Sequence, residues 1–554
     1  MSGHGPPAER SAHAGEAPAA RFPTWVVGVA LLVYAVALPK ALVLDEESYL
    51  WLGRHVSWAN PYDWTREWQG REGWGYAHPP LYLWWHKAWS AWESWVGGHP
   101  VSGHDPEGTM FVHWQPGPLW AVRLSALPWV LLWSGAAALW IRRTCHHPAV
   151  AGVAFLGSTT VVLGLQDSLM IDLPYVALTT AALAAYREGF PARSWRWHAA
   201  AGLAFGLAIE TKYPAALLAP VFVVHGLRAG FSAPFWACAA AVVGGVEGYL
   251  WATHGSPHPL AVWESREWVA RGPLGARLLG TLARAALLPA AVALLYTRPV
   301  HAGVGLALGA TALLAARPDA LEAVPLLFLL GCAALGGAAF SRAVEGLLAS
   351  PLRRRKGDQH DSLLLGGAVV VTFLGVVAVH NYASARYLLP AAAPLAILLG
   401  RAAEDVPHGK AAQLVASALG GALALALAAV DSSFATAGVD AARGALVAAR
   451  SHGVTEGKFV AEWSARAELE AAGWRRLVDV ETARPGERVI VMRQSGGRVP
   501  DAWEPLAVVE VPGPIPLRVL DVRAGIGLYA ETLGPLPFGL SSGPLEVAVL
   551  YEVR

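Results

Sequence analysis

Residues 24–47 read TWVVGVALLVYAVALPKALVLDEE, and this stretch decides the fold class. It is apolar from Thr24 to about Leu42, and about 20 such residues cross a bilayer. A removable signal would end in a small-residue cleavage site behind a short apolar core. This run passes instead through Pro39 and Lys40 to the adjacent acids Asp45 and Glu46. It therefore reads as an uncleaved signal anchor, the first spanning helix. Residues 1–22 before it are polar and rich in Pro, Ala and Gly, and are expected to be a disordered cytoplasmic N-terminus.

The rest of the chain repeats the theme. Hydrophobic residues make up 55% and charged residues 15% of the 554, with mean hydropathy +0.39. Soluble domains carry about 25% charged residues. These values exclude a disordered chain, collagen and a coiled coil. A net charge of +1 leaves no global basic field, so no nucleic-acid partner is expected. Cys145, Cys238 and Cys332 are dispersed among apolar stretches, which suits neither a disulfide framework nor a zinc site.

Further apolar runs lie near 119–140, 148–165, 169–186, 197–209, 213–227, 233–251, 276–296, 299–316, 320–340, 362–380, 387–400 and 411–430, making thirteen spans with the first. The short runs 197–209, 213–227 and 387–400 suit broken or tilted helices lining a cavity. With the N-terminus in the cytoplasm, the short inner loops hold fourteen Lys and Arg residues between Arg142 and Lys410. The short outer loops hold three: Lys212, Arg317 and Arg386. Because cytoplasmic loops accumulate Lys and Arg, this asymmetry sets the orientation. The expected location is a bacterial inner membrane, multi-pass; the richness in Ala, Gly, Arg and Trp suits a GC-rich bacterial genome.

Two regions fall outside the spans. Residues 43–118 form a large first outer loop with ten tryptophans between Trp51 and Trp95, and an amphipathic aromatic segment at 81–96. Residues 431–554 read as a small α/β domain on the outer side. Its strand-like runs are 458–461, 488–493, 506–511, 517–522 and 545–553, with a helix-like run at 464–472. The membrane domain is expected to be 23–430. No internal repeat is visible.

The candidate chemistry sits at outer span ends. Asp45 and Glu46 follow the first span, and a carboxylate there could act as general base on an incoming hydroxyl. His78 precedes Pro79-Pro80-Leu81-Tyr82 in the outer loop. Asp167 and Asp172 flank the start of the fourth span, Asp167 as a helix N-cap and Asp172 about one turn inside. An unpaired charge at that depth costs about 2.5–3.5 kcal/mol, so a cation or a polar cavity must compensate it. Lys212, in Glu210-Thr211-Lys212-Tyr213, can either snorkel or meet a phosphate. Arg386 and Tyr387 follow His380-Asn381, and the Arg386 fork suits phosphate. These residues are far apart in sequence, yet the topology brings them to one membrane face. A polar site there, with a base and several cations, suits an anionic lipid.

The pattern resembles the membrane glycosyltransferases of the GT-C fold, in particular the protein mannosyltransferase and aminoarabinose transferase group of glycosyltransferase family 39. The resemblance rests on Asp45-Glu46, Pro79–Tyr82, Asp172-Leu173-Pro174, Thr211-Lys212 with Pro214-Ala215, and Arg386–Pro390, in that order. Gly525-Ile526-Gly527-Leu528-Tyr529 and Gly534-Pro535-Leu536-Pro537-Phe538 look like the extra outer domain of bacterial members. Two positions depart from the pattern: His78 stands where many relatives carry Lys or Arg, and Tyr213 where Gly is common. The resemblance implies an all-α polytopic GT-C fold and transfer of a sugar from a polyprenyl-phosphate donor to a lipid, glycan or protein hydroxyl. Asp45 would be the base, Glu46 would tune it or help hold the acceptor, and Asp172 would be a second carboxylate of the site. Lys212, Arg386 and His78 would meet the donor phosphate. Tyr82, Asp167, Tyr213, His380 and Tyr387 are further candidates for substrate contact. No metal cluster has convincing ligand spacing, although Asp45, Glu46 and His78 could share a divalent cation. The competing reading is a transporter or flippase for lipid-linked sugar, which would be expected to show internal repeats and short outer loops.

Overall fold

The computed structural model describes residues 23–42, 46, 49–50, 53, 56–62, 78–95, 99–104, 110–115, 118–265, 272–290, 299–316, 321–349, 356–380, 382–404, 408–461, 463–477, 480–494 and 499–554. The expected disordered N-terminus, Asp45 and Asn381 lie outside them, as does much of the 43–118 loop.

Helix α1 is Thr24–Ala37, shorter than the apolar run, because Pro39 cannot continue the helix. In the long loop after α1, α2 is Pro80–Trp95, as the amphipathic aromatic pattern predicts, and β1 (His99–His104) pairs antiparallel with β2 (Met110–Gln115). Then come α3 (Leu119–Thr144), α4 (Pro148–Leu156), α5 (Thr159–Gln166), α6 (Asp172–Gly189) and α7 (Trp195–Ile209). They are followed by α8 (Ala219–Ala229), α9 (Ala233–His254), α10 (His258–Ser265) and α11 (Leu274–Ala285). Next come α12 (Pro299–Ala316), α13 (Ala323–Ala349), α14 (Lys356–Ala378), α15 (Ala392–Glu404) and α16 (Gly409–Ser451). The result is a mostly helical multi-pass membrane protein with a C-terminal region that contains strands.

Six helices among the described residues are long and apolar enough to cross a membrane, or seven if α4 and α5 form one bent span. The expected count of thirteen is not reached on length and composition. Of the three short runs, 197–209 is the single helix α7, and the other two start late: 3-10 turns at Tyr213–Leu218 and Ala385–Ala391 precede α8 and α15. Each turn contains a proline, Pro214 or Pro390. The run 148–165 bends by 60° between α4 and α5. Gly157 at that bend lets α16 cross, since a Cβ there would lie 2.5 Å from the Ser417 carbonyl oxygen. Small residues bring helices together without a water-driven force. At Gly336 of α13, a Cβ would run into the Leu282 carbonyl of α11.

The C-terminal region departs from the boundary expected at 430. Helix α16 runs through it unbroken for 43 residues. Its last turns cover the C-terminal sheet, because Ala441, Ala442, Ala445, Leu446 and Ala449 pack on Phe459, Ile490, Met492 and Leu550. The five-stranded sheet has the order β4-β3-β5-β7-β6, with β3 Lys458–Val460, β4 Arg475–Arg476, β5 Arg488–Met492, β6 Glu504–Val511 and β7 Glu546–Glu552. Strand β3 runs parallel to its neighbours, and β7 antiparallel to β5 and β6. Helix α17 (Trp463–Ala471) follows β3, where the helix-like run is expected. Alternate residues of β5 and β7 face opposite sides. Val489, Val491, Val547 and Val549 join Trp503 and Tyr551 in a second cluster, so both faces are buried and both strands read as continuous apolar runs. The expected strand 517–522 is broken into Leu517–Arg518 and Leu520–Asp521, in separate two-stranded pairs. Its Val519 and Leu520 pack on Leu427, Phe434 and Tyr529 instead.

Burial holds the carboxyl of Glu546, at the start of β7, up at about 7. The folded state therefore keeps a proton through the range where the unfolded chain loses it, and stability falls as pH rises from the ordinary Glu range to about 7. A shift of that size amounts to about 3 kcal/mol. Hydrogen exchange at β5 amides of the full chain, corrected for intrinsic rate, should show this loss, and Glu546→Gln should flatten it. A pH-independent wild type would refute it.

Candidate functional site

Asp172 opens α6, at the positive end of the helix dipole, rather than one turn inside it. The turn at 167–171 carries it there. Lys212 stands in extended backbone between α7 and the 3-10 turn that starts at Tyr213. Arg386 lies in the 3-10 turn before α15. Three distant segments thus deliver one acid and two cations to one place. Lys212 Nζ donates to Asp172 Oδ1 at 2.5 Å, and Arg386 Nε lies 3.8 Å from Asp172 Oδ2. Asp172 and Lys212 are buried.

Aromatic rings line these charges. Lys212 Nζ sits 4.5 Å from the Tyr387 ring centroid and 5.8 Å from that of Tyr175. His380 stacks on Tyr387 with centroids 4.0 Å apart. Tyr387 Oη donates to Tyr382 Oη at 2.9 Å, and Arg386 Nη2 donates to the same hydroxyl at 3.1 Å. A cavity beside them is lined by Asp167, Asp172, Ser384, Arg386 and, from the C-terminal region, Leu528 and Tyr529.

Two further charge clusters hold the frame. Arg123 of α3 grips Glu46 bidentately, Nη1 to Oε1 and Nη2 to Oε2, each at 2.7 Å, with both side chains fully buried. Arg123 also donates to the carbonyls of Lys40, Ala41 and Gln166, at 3.2–3.4 Å. Lys40 pairs with Asp167 at 2.5 Å and with Asp431 of α16, tying α1, α5 and α16 together. Asp167 is therefore an ion-pair partner at the end of α5, not the N-cap of α6.

The remaining expected residues have other surroundings. Tyr82 Oη donates to the Leu169 carbonyl and fastens α2 to the turn before Asp172. His78 Nε2 lies 3.3 Å from Tyr49 Oη, and the His78 carbonyl accepts from Tyr62 Oη at 3.0 Å. Tyr213 bonds to Glu247 of α9 at 2.8 Å and to His258 of α10 at 2.6 Å. Asp45 lies outside the described residues. Both Glu46 oxygens are engaged by Arg123, which leaves little for an ion shared with Asp45 and His78. Among the described residues no group of three His, Cys, Asp or Glu side chains is placed to hold a metal.

The sequence reading missed Lys40, Arg123, Tyr382 and Asp431. Arg123 was visible as a cation inside a candidate span, where ionisable groups are functional candidates. Lys40 and Asp431 were visible at the ends of two others. Nothing in sequence pairs Lys40 with Asp431, which is 391 positions away.

Comparison with known proteins adds a sequence signal over part of this frame. Residues 116–243 match the family described as dolichyl-phosphate-mannose-protein mannosyltransferase. That stretch contains Arg123, Asp167, Asp172 and Lys212. No curated protein sequence matches the chain. The chain is also similar to ArnT from Cupriavidus metallidurans in the apo state, at 17% identity over 85% of this chain and 92% of that one, with TM-score 0.37. The same protein bound to undecaprenyl phosphate gives 16% identity over the same shares, also with TM-score 0.37.

Proposed function

We propose that this protein is a membrane glycosyltransferase that passes a sugar from a polyprenyl-phosphate donor to an acceptor hydroxyl at the outer face of the inner membrane. The observation that carries this reading is the pair of cations, Lys212 and Arg386, set against Asp172 beside a cavity. Two positive charges facing one carboxylate suit a bound anion. The family matched over 116–243 is named for a sugar carried on a lipid phosphate.

In this reading the acceptor oxygen attacks the anomeric carbon as the bond from that carbon to the phosphate oxygen breaks. The electron pair stays on the phosphate oxygen, where Lys212 and Arg386 stabilise it. The acceptor proton passes to a carboxylate, for which Asp45 is the candidate. Asp172 orients both cations. Glu46 acts through Arg123, holding the segment that bears Asp45. Tyr387, Tyr382 and His380 form the aromatic wall of the donor site. The Lys and Arg asymmetry supports placing the site and the C-terminal region outside, with residues 1–22 in the cytoplasm. The acceptor is a hydroxyl of a lipid, glycan or protein.

The test uses the purified full chain in nanodiscs with a polyprenyl-phosphate sugar and membrane lipid acceptors, followed by mass spectrometry. Release of polyprenyl phosphate coupled to a glycosylated product is expected. Movement of the intact donor between leaflets without bond cleavage would favour a flippase and overturn the reading.

A further inference from the structure

The C-terminal segment 525–538 packs on several elements of the membrane domain, Phe538 against Phe328 of α13 and Tyr529 in one cluster with Leu427 of α16, and it makes polar contact with α11. Arg284 of α11 is fully buried, and its donors go to backbone carbonyls. Nη2 donates to Gly527 O and, at 2.9 Å, to Gly534 O; Nε donates to Leu528 O at 3.3 Å; Nη1 donates to Gly280 O at 3.3 Å. A buried guanidinium is expensive unless its geometry is well satisfied. The segment is folded to satisfy it. Gly525 has φ +69, and a Cβ on Gly527 would lie 2.6 Å from both Ala530 O and Gly534 N. The two glycine-rich motifs noted in the sequence thus wind a tight turn whose carbonyls surround one cation.

The same segment grips the loop that carries Arg386. Glu531 N donates to Ala383 O at 3.1 Å, and Ala383 N donates back to the Glu531 carboxylate. Ala383 follows Tyr382 and stands three residues before Arg386. At Gly280, a Cβ would lie 2.9 Å from Glu531 Cβ and 3.1 Å from Ala383 Cβ, so helix, segment and loop meet where only glycine fits. Arg277, two turns earlier on α11, holds the other flank, since its Nη1 donates to Val377 O at 2.6 Å and His380 O at 3.1 Å.

We infer that segment 525–538 is a working part of the donor site, and that Arg284 and Glu531 are positioning residues that hold the 380–387 loop, and so Arg386, in register with Asp172 and Lys212. The inference rests on the reading of Arg386 as a donor-phosphate contact. Its physical basis is that α11 clamps both flanks of the loop while Leu528 and Tyr529 wall the same cavity.

The experiment uses full-length wild type, Arg284→Ala, Arg284→Lys and Gly280→Ala in detergent, with undecaprenyl phosphate as the probe. Hydrogen exchange over 380–389 should be faster in Arg284→Ala and Gly280→Ala than in wild type. Affinity for undecaprenyl phosphate should fall about tenfold or more, the scale of a misplaced binding group. Arg284→Lys, which keeps the charge and loses the fork, should recover part of both. If Arg284→Ala does not fold, Gly280→Ala carries the test alone, since its added Cβ presses on Glu531, Ala383 and the tip of Arg284 and removes no side chain. Unchanged exchange and unchanged affinity in folded variants would overturn the positioning role while leaving the donor site intact. A wild type that binds no undecaprenyl phosphate would overturn the donor reading, and this inference with it.

Discussion

Arg386→Ala is expected to lower sugar transfer by about 100- to 1,000-fold while the protein still folds and inserts. The magnitude is that of removing one preorganised donor aimed at developing negative charge. The survival of the fold follows from two distances. Asp172 keeps Lys212 at 2.5 Å, whereas Arg386 stands off at 3.8 Å, so loss of Arg386 leaves no buried carboxylate without a cation. Lys212→Ala is the contrasting case. It takes the close partner from Asp172 and should cost stability as well as rate, since breaking a buried pair costs about 3–5 kcal/mol. Transfer rates should therefore be compared at equal amounts of folded protein, judged by size-exclusion profile and thermal unfolding. An Arg386→Ala enzyme with near wild-type turnover would remove the phosphate role from this residue.

The second large effect is expected at Glu46. Its bidentate pair with Arg123 is fully buried, and Arg123 also collects three backbone carbonyls around the end of α1 and the 167–171 turn. Glu46→Ala leaves a buried guanidinium uncompensated, at about 3–5 kcal/mol, a large part of the stability of an ordinary domain. The expected outcome is a steep loss of folded protein from membranes. The double variant Glu46→Leu with Arg123→Met should recover part of the yield, because apolar replacement of a whole buried pair is often nearly neutral. Recovery should be incomplete, since the carbonyls of Lys40, Ala41 and Gln166 lose their donor. The opposite result, a Glu46→Gln protein that folds normally but transfers no sugar, would return Glu46 to the chemistry.

These two residues mark how far the sequence could be read. Asp172, Lys212 and Arg386, which the fold brings together, were legible as candidates because each is a charge at a span end, where lipid makes charge expensive and the alternatives are few. Glu46 was legible for the same reason, but its pairing with Arg123 was not, because a carboxylate beside a span looks the same whether it faces solvent or a buried arginine. Arg123 sat inside an apolar run and was absorbed into it. The strands of the C-terminal region were legible where alternation or unbroken apolarity survived, as in β5, β6 and β7. The 517–522 run failed because its Val519 and Leu520 answer to the membrane domain rather than to the sheet.

Composition and the spacing of apolar runs alone determined that this is a polytopic membrane chain with a strand-containing region at its C-terminus. Hydrophobic length is a local property, and it is written residue by residue. Tertiary structure alone decided which acid meets which cation. It made α16 serve both as a membrane helix and as the cover of the sheet, and it carried segment 525–538 back to the loop before Arg386. Pairings across hundreds of residues depend on helix rotation, on glycines thin enough to let backbones touch, and on the cost of burying a charge without a partner. None of these is visible until the chain is packed.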